Sequence, residues 1–322
     1  MLRQVVQLWT YGEGNKSWFC GSFEDNYTGS KHSFQVPEGF ILGCRPFIGL
    51  DGCHLKGKFP GGIIATTAID ANFGVFPVAV AICEVECKDS WGWFLQHLYE
   101  HIGLDDNRRL TFMTDRQKGV IDAIEMWWPG SSNRFCLRHI IDNLRAKHRG
   151  NQSSDMVWKA AKSSNNADFE IAMREMQETD QDAYNYMMKI PTKHWSRHAF
   201  DEHVKSDHVS NNISECFNNW IDKFRGQPTL TLLENMRRAI MKRIHKRHED
   251  AKKWSTVISR LVMKKMIENQ DDGRFVQVIC ADEFEYEVKD KTLITMLILV
   301  WKNVIVGLGQ LVAFHASMPW LS

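Results

Sequence analysis

No stretch of this sequence is apolar for long enough to cross a bilayer. The longest late run, LITMLILVW (Leu293–Trp301), has nine residues, against about 20 for a spanning helix. A secretory leader is missing too. The eight cysteines are scattered through 322 residues, with no spacing that suggests a disulfide framework, so free thiols in a reducing compartment are expected. Net charge is nearly absent, at +1, so overall charge announces no nucleic-acid partner. These absences leave a soluble, intracellular, globular chain of one large or two smaller domains as the expectation.

Residues 1–45 have little period and many Gly and Ser residues, and read as an irregular leader that precedes the first domain. From Pro46 the pattern sharpens. FIGLD, GGIIATTAIDAN (Gly61–Asn72) and GVFPVAVAICEVE (Gly74–Glu86) read as three strands joined by short turns, which predicts an antiparallel meander. A helix follows from Ser90 to Leu104, with Trp93, Phe94, Leu98 and Ile102 at helical spacing. A fourth strand ends at Asp115, a short helix ends at Pro129-Gly130, and a fifth strand, NRFCLRH (Asn133–His139), runs into another helix.

The order β-β-β-α-β-α-β-α predicts an α/β fold, with a ribonuclease-H-like mixed sheet and flanking helices over 46–149. Residues 150–205 read as an all-helical insertion. Helices over 206–260 complete the core, and 261–322 form a tail.

An apolar strand that ends in a carboxylate poses a physical question at Asp51. Burying an unpaired carboxylate costs several kcal/mol, so Asp51 is a satisfied structural residue, a turn residue or a ligand. In the predicted sheet the first and fourth strands are neighbours, which brings Asp51 and Asp115 together.

Four ordered segments, GCRPFIGLDGCHLKG, TFMTDRQKGVIDAI, FCLRHI and HVSNNISECFNNWI, resemble the transposase domain of plant Mutator-like elements, a family related to the far-red-impaired-response proteins. The resemblance covers roughly residues 41–260. It implies a DDE triad at Asp51, Asp115 and Glu215, holding two Mg2+ or Mn2+ ions for DNA strand cleavage and transfer. Carboxylate oxygens are the hard ligands such ions take. Paired ions about 3.5–4 Å apart act on the attacking and leaving oxygens of a phosphodiester.

The resemblance further implies an accessory Cys-x-x-His at Cys136 and His139. As a zinc site this pair lacks two ligands; His203 and His208 are candidates, but a buried thiol and a histidine shaping the active site fit better. Cys83 and Cys87 read as small apolar residues sharing a strand face.

The basic stretch Arg237–Lys253 reads either as a solvated helix face or as a DNA-backbone or nuclear-import segment. Its candidate phosphate contacts are Arg237, Arg238, Lys242, Arg243, Lys246 and Arg247, joined by Lys56 and Lys58 near Asp51.

Family members also carry an N-terminal DNA-binding region and a C-terminal SWIM zinc finger, Cys-x-Cys then Cys-x-His. Neither is expected to be intact here, because only some 45 residues precede the core and no cysteine follows Cys280. Back-translation of Leu293–Ser322 in a shifted frame can restore the finger's four ligands, so a frameshift or misplaced splice is expected to have destroyed it. The resemblance therefore implies a transposase, or a fragment derived from one, acting on terminal-repeat and target DNA in the nucleus, with homo-oligomers possible and no membrane partner. Two other readings stand beside it: a domesticated, non-catalytic DNA-binding regulator of transcription, and a relic without function.

Overall fold

The structure is a computed structural model that describes residues 5–9, 19–22, 38–58, 60–102, 109–147, 153–201, 204, 206–256, 258–273, 277–280, 285–289, 294–300 and 303–305. In chain order its elements are β1 (Val5–Trp9), β2 (Phe19–Ser22), α1 (Glu38–Gly43), β3 (Cys44–His54), β4 (Gly62–Asp70), β5 (Val75–Cys83) and α2 (Lys88–Ile102). There follow β6 (Thr111–Thr114), α3 (Lys118–Trp127), β7 (Ser132–Phe135), α4 (Leu137–Lys147), α5 (Ser153–Lys162), α6 (Asn166–Thr179) and α7 (Gln181–Met188). The last are α8 (Asn212–Ile221), α9 (Thr229–Ala251), α10 (Arg260–Gly273), β8 (Gln277–Cys280), β9 (Glu285–Lys289), β10 (Ile294–Val300) and β11 (Asn303–Ile305).

The chain forms two compact units, Met1–His139 with Ser210–Val257, and Ile140–Val209 with Ile258–Ser322. The first is mixed α/β, as its alternation of strand and helix periods predicts. Its sheet runs β2-β1-β5-β4-β3-β6-β7. The five strands β3 to β7 form a mixed sheet: β3, β4 and β5 pair antiparallel, whereas β3–β6 and β6–β7 pair parallel.

Residues 1–45 depart from an irregular leader, because β1 pairs antiparallel with β5 and β2 extends the edge beyond it. The fifth strand also ends earlier than its apolar residues suggest. Cys136 leaves the strand and α4 begins at Leu137.

Strands β4 and β5 are buried almost throughout, because helices cover both faces of the sheet. On one face, Ile48, Leu50 and Ile64 pack with Trp91, Phe94 and Leu98 of α2 and with Val120 and Ile124 of α3. On the other, Ile63, Ala65, Val80 and Ile82 pack with Phe217 and Ile221 of α8 and with Leu232, Met236 and Ile240 of α9. Alternation along β3 thus sends Ile48 and Leu50 into the first core and leaves Gly49 and Asp51 facing α8.

Gly49 lets α8 approach. A Cβ there would lie 2.4 Å from Asn211 Oδ1 and 2.5 Å from Ser214 Oγ. Ser214 Oγ sits 2.8 Å from Thr67 Oγ1 on the neighbouring strand, so two buried hydroxyls satisfy each other where the helix meets the sheet.

Within the second unit, α5–α7 surround a fully buried Trp195. Its ring packs against Phe169 at 5.6 Å, and its Nε1 donates to Ile190 O at 3.0 Å. These helices fall within the segment read as a helical insertion. In the tail, β8–β11 form a four-stranded antiparallel sheet in the order β11-β10-β9-β8. The rest of the expected disrupted finger, from residue 306 onward, lies outside the described residues. No helix among the described residues is long and apolar enough to cross a membrane.

Gly49→Ala is expected to destabilise the protein by about 1–3 kcal/mol, the usual penalty for overpacking. Gly92, on α2, has open space around its would-be Cβ, so Gly92→Ala should stabilise by about 0.5–1 kcal/mol through helix propensity. Urea unfolding of both variants measures the contrast.

Candidate active site

The parallel ladder pairs Phe47 with Thr111, Ile48 with Phe112 and Gly49 with Met113. Carried two residues further, the same register sets Asp51 beside Asp115. Asp115 follows β6 directly, and its Oδ1 accepts from Gln117 N at 3.1 Å. Arg116 between them has φ 74, a left-handed conformation that is uncommon for a side-chain-bearing residue. It turns the chain sharply from strand to helix, and Arg116 N donates to Thr114 Oγ1 at 3.2 Å.

Asp51 accepts two hydrogen bonds, from Gly52 N to Oδ1 and from Asn218 Nδ2 of α8 to Oδ2, each at 2.9 Å. Burial, followed by the charge of Asp115, pushes its carboxyl up from 3.8 to about 7, against the opposing pull of His139 and the Gly52 amide.

His139, in the first turn of α4, is pushed up to about 9, first by its hydrogen bond with the Cys136 side chain and then, after the opposing effect of burial, by the Cys136, Asp115 and Asp51 charges. At neutral pH this favours the charged imidazole beside two aspartates. Cys136 itself is completely buried.

Glu215 lies in the first turn of α8, where a carboxylate favours the helix dipole. Its Oε2 pairs with Arg138 Nη1. Among the described residues, no three His, Cys, Asp or Glu side chains converge in a metal-holding geometry. The structure therefore brings Asp51, Asp115 and His139 together, and holds Glu215 in an ion pair one residue from His139.

Glu86 is the acidic neighbour that sequence reasoning missed. It lies between β5 and α2, and Trp91 Nε1 of α2 donates to its Oε1 at 3.1 Å. Its carboxylate occupies the space beside Gly52, where a Cβ would lie 2.4 Å from Oε2. Burial raises its pKa, the Trp91 bond opposes that, and the charge of Asp115 raises it again. The visible signal is a glutamate following an apolar strand, the same pattern that singled out Asp51. The carboxylate oxygens of Asp51 and Asp115 are the kind of donor a hard divalent cation takes, and such a cation would relieve their mutual repulsion.

The predicted phosphate-binding cations divide into two groups. Lys56 pairs with Asp222 at 2.7 Å, Arg237 and Arg238 share Glu234 at 2.7 Å, and Arg247 pairs with Asp70 at 2.9 Å. Arg243 lies over the Trp220 ring at 5.5 Å. Lys58, Lys242 and Lys246 are exposed. His203 lies outside the described residues, and His208 Nδ1 is 3.7 Å from Asp207 Oδ1. Cys83 is buried at the end of β5, whereas Cys87 lies beyond that strand and is exposed, so the two do not pack together as a strand-face pair.

Residues 47–143 match the family model of the MULE transposase domain. The matched span contains Asp51, Glu86, Asp115, Cys136 and His139 and ends before Glu215. No curated protein matches the chain.

The raised Asp51 fixes the sign of a pH effect. Folded Asp51 keeps its proton between about pH 4 and pH 7 while the unfolded chain has lost it. The Asp51 contribution to stability therefore falls as pH rises through that window and is constant above it, while His139, pushed up to about 9, adds a further fall between about pH 6.5 and 9. Asp51→Asn should match the wild type near pH 4 and exceed it at pH 8 by on the order of 2–4 kcal/mol. Urea unfolding in chelator across that range is the measurement, with residual slopes left by Glu86 and His139.

Proposed function

We propose that this chain is a Mutator-like transposase, or a protein derived from one, whose ribonuclease-H-like core cleaves and joins DNA strands. The register that sets Asp51 beside Asp115 carries the proposal. The strand order β5-β4-β3-β6-β7, three antiparallel strands followed by two parallel ones, and the domain match over residues 47–143 support it.

Asp51 and Asp115 would hold Mg2+ or Mn2+, with Glu215 as the third ligand once it leaves Arg138. Such ions supply Lewis acidity at a phosphodiester and lower the pKa of the attacking water or 3′-hydroxyl. The chain's own residues set the conditions. The Gly52 amide and the Asn218 amide orient the two oxygens of Asp51. His139 offsets the negative charge of the aspartate pair, and the Trp91 bond orients Glu86 beside them. Exposed Lys58, Lys242 and Lys246 are suited to phosphate contacts, which position DNA without reading its sequence. Terminal-repeat and target DNA, nuclear localisation, self-association and the loss of a zinc finger belong to the same reading.

A second reading, a non-catalytic DNA-binding regulator, draws on one observation: the Arg138–Glu215 ion pair engages the carboxylate that catalysis would require.

Incubation of the purified full chain with supercoiled DNA and Mg2+ or Mn2+ separates the two. Nicking that falls to background in Asp51→Asn and Asp115→Asn supports the enzyme. DNA binding without nicking supports the regulator, and nicking that persists in both variants removes the assignment of the aspartates.

A further inference from the structure

The Cys-x-x-His motif is only half explained by His139, which faces the aspartates. Cys136 is fully buried, and among the described residues it belongs to no metal-holding group. Its other bonds lead away from His139. Cys136 N donates to Thr114 O at 2.7 Å, and Thr114 directly precedes Asp115. Cys136 Sγ accepts from Asn211 N at 3.2 Å. Asn211 Nδ2 donates to Leu50 O at 2.9 Å, and Leu50 directly precedes Asp51. Asn211 O in turn accepts from Glu215 N at 3.1 Å.

We propose that Cys136 and Asn211 are positioning residues that form a single hydrogen-bonded clasp, which holds the three backbone segments bearing Asp51, Asp115 and Glu215 at fixed separations. The proposal rests on the reading of those carboxylates as one site.

Several features identify a device for alignment. Asn211 occupies the N-cap position of α8, yet its side chain makes no capping bond to the helix. The amide that would ordinarily serve its own helix reaches across to β3 instead. Asn211 is 1 % exposed, so none of its bonds is replaceable by bulk water. Gly49 provides the room, since Asn211 Oδ1 fills the place of the missing side chain. A thiol suits the Cys136 position because sulfur is large enough to reach the amide from a packed core and accepts weakly. Each link lies beside a carboxylate but touches none of the three, so the clasp acts on their spacing.

The test is Mn2+ binding by the full chain, followed by calorimetry with Mn2+ as the sole probe. Cys136→Ala and Asn211→Ala should each weaken binding by about 10- to 100-fold, the range seen when residues that orient metal ligands are removed. The double variant should be no worse than the single ones, because both break one relay. Cys136→Ser, which keeps an acceptor, should recover most of the affinity. Ile240→Val, a core trim in α9, should lower the melting temperature and leave Mn2+ affinity unchanged.

Wild-type affinity in Cys136→Ala, or additive losses in the double variant, would overturn the clasp. Should the alanine variants fail to fold, hydrogen exchange of the Asn211 amide in the wild type decides: protection supports the clasp and rapid exchange overturns it. Equal Mn2+ binding by the wild type and Asp51→Asn would remove the site itself, and the clasp with it. Loss of binding in Asp51→Asn but not in Cys136→Ala would remove the clasp alone.

Discussion

Two parallel strands in fixed register are the constraint on which the site depends. A parallel ladder leaves no freedom in the relative height of its strands, because a shift of one residue would turn every side chain to the opposite face. With β3 against β6 in the observed register, the carboxylates that follow their apolar runs arrive at the same level and on the same side. The cores above and below enforce that register. Ile48 and Leu50 have only the α2–α3 core to enter, and this consigns Gly49 and Asp51 to the opposite face. The side on which the aspartate emerges thus follows from alternation: Ile48 and Leu50 enter the α2–α3 core, and Asp51 falls on the face that meets α8.

Placing carboxylates side by side in a largely dry setting raises the free energy of the charged state. The fold offsets this only in part, with the Gly52 and Asn218 amides at Asp51 and the nearby charge of His139. Glu86 adds to the imbalance, held by one indole bond. Such an incompletely neutralised group of anions is frustrated as a folding element and suited to a cationic partner. Glu215 meets a different local field. Arg138 satisfies it within the chain, so the carboxylate carried by α8 is already neutralised while those carried by the sheet are not.

The strands that end near Asp51 and Asp115 were legible in the sequence from local period, and the neighbouring of the two strands from the order of the elements read by analogy with a known sheet. Glu86 was not, because its importance comes from the space left by Gly52, thirty-four positions earlier, and from an indole on the following helix. The roles of the basic residues were equally opaque. Arg247 and Arg237 sit in one cationic stretch, yet one reaches Asp70 at the end of β4 and the other a glutamate in its own helix. A charge run records composition and says nothing of partners contributed by distant segments. The pairing of β1 with β5 escaped for a similar reason: a five-residue strand set among Gly and Ser shows too little period to stand out, and its place at a sheet edge is tertiary information.

The Cys136–Asn211 bond also has a topological side. The first unit ends one segment at His139 and resumes at Ser210, and this single bond joins residues 75 apart in sequence, just where the chain departs and returns. An excursion pinned at its base is insulated from its own length. Closing a longer loop costs little, about 0.6 kcal/mol for each doubling. The segment between those two points can therefore differ in length at little entropic cost to the bond that closes it.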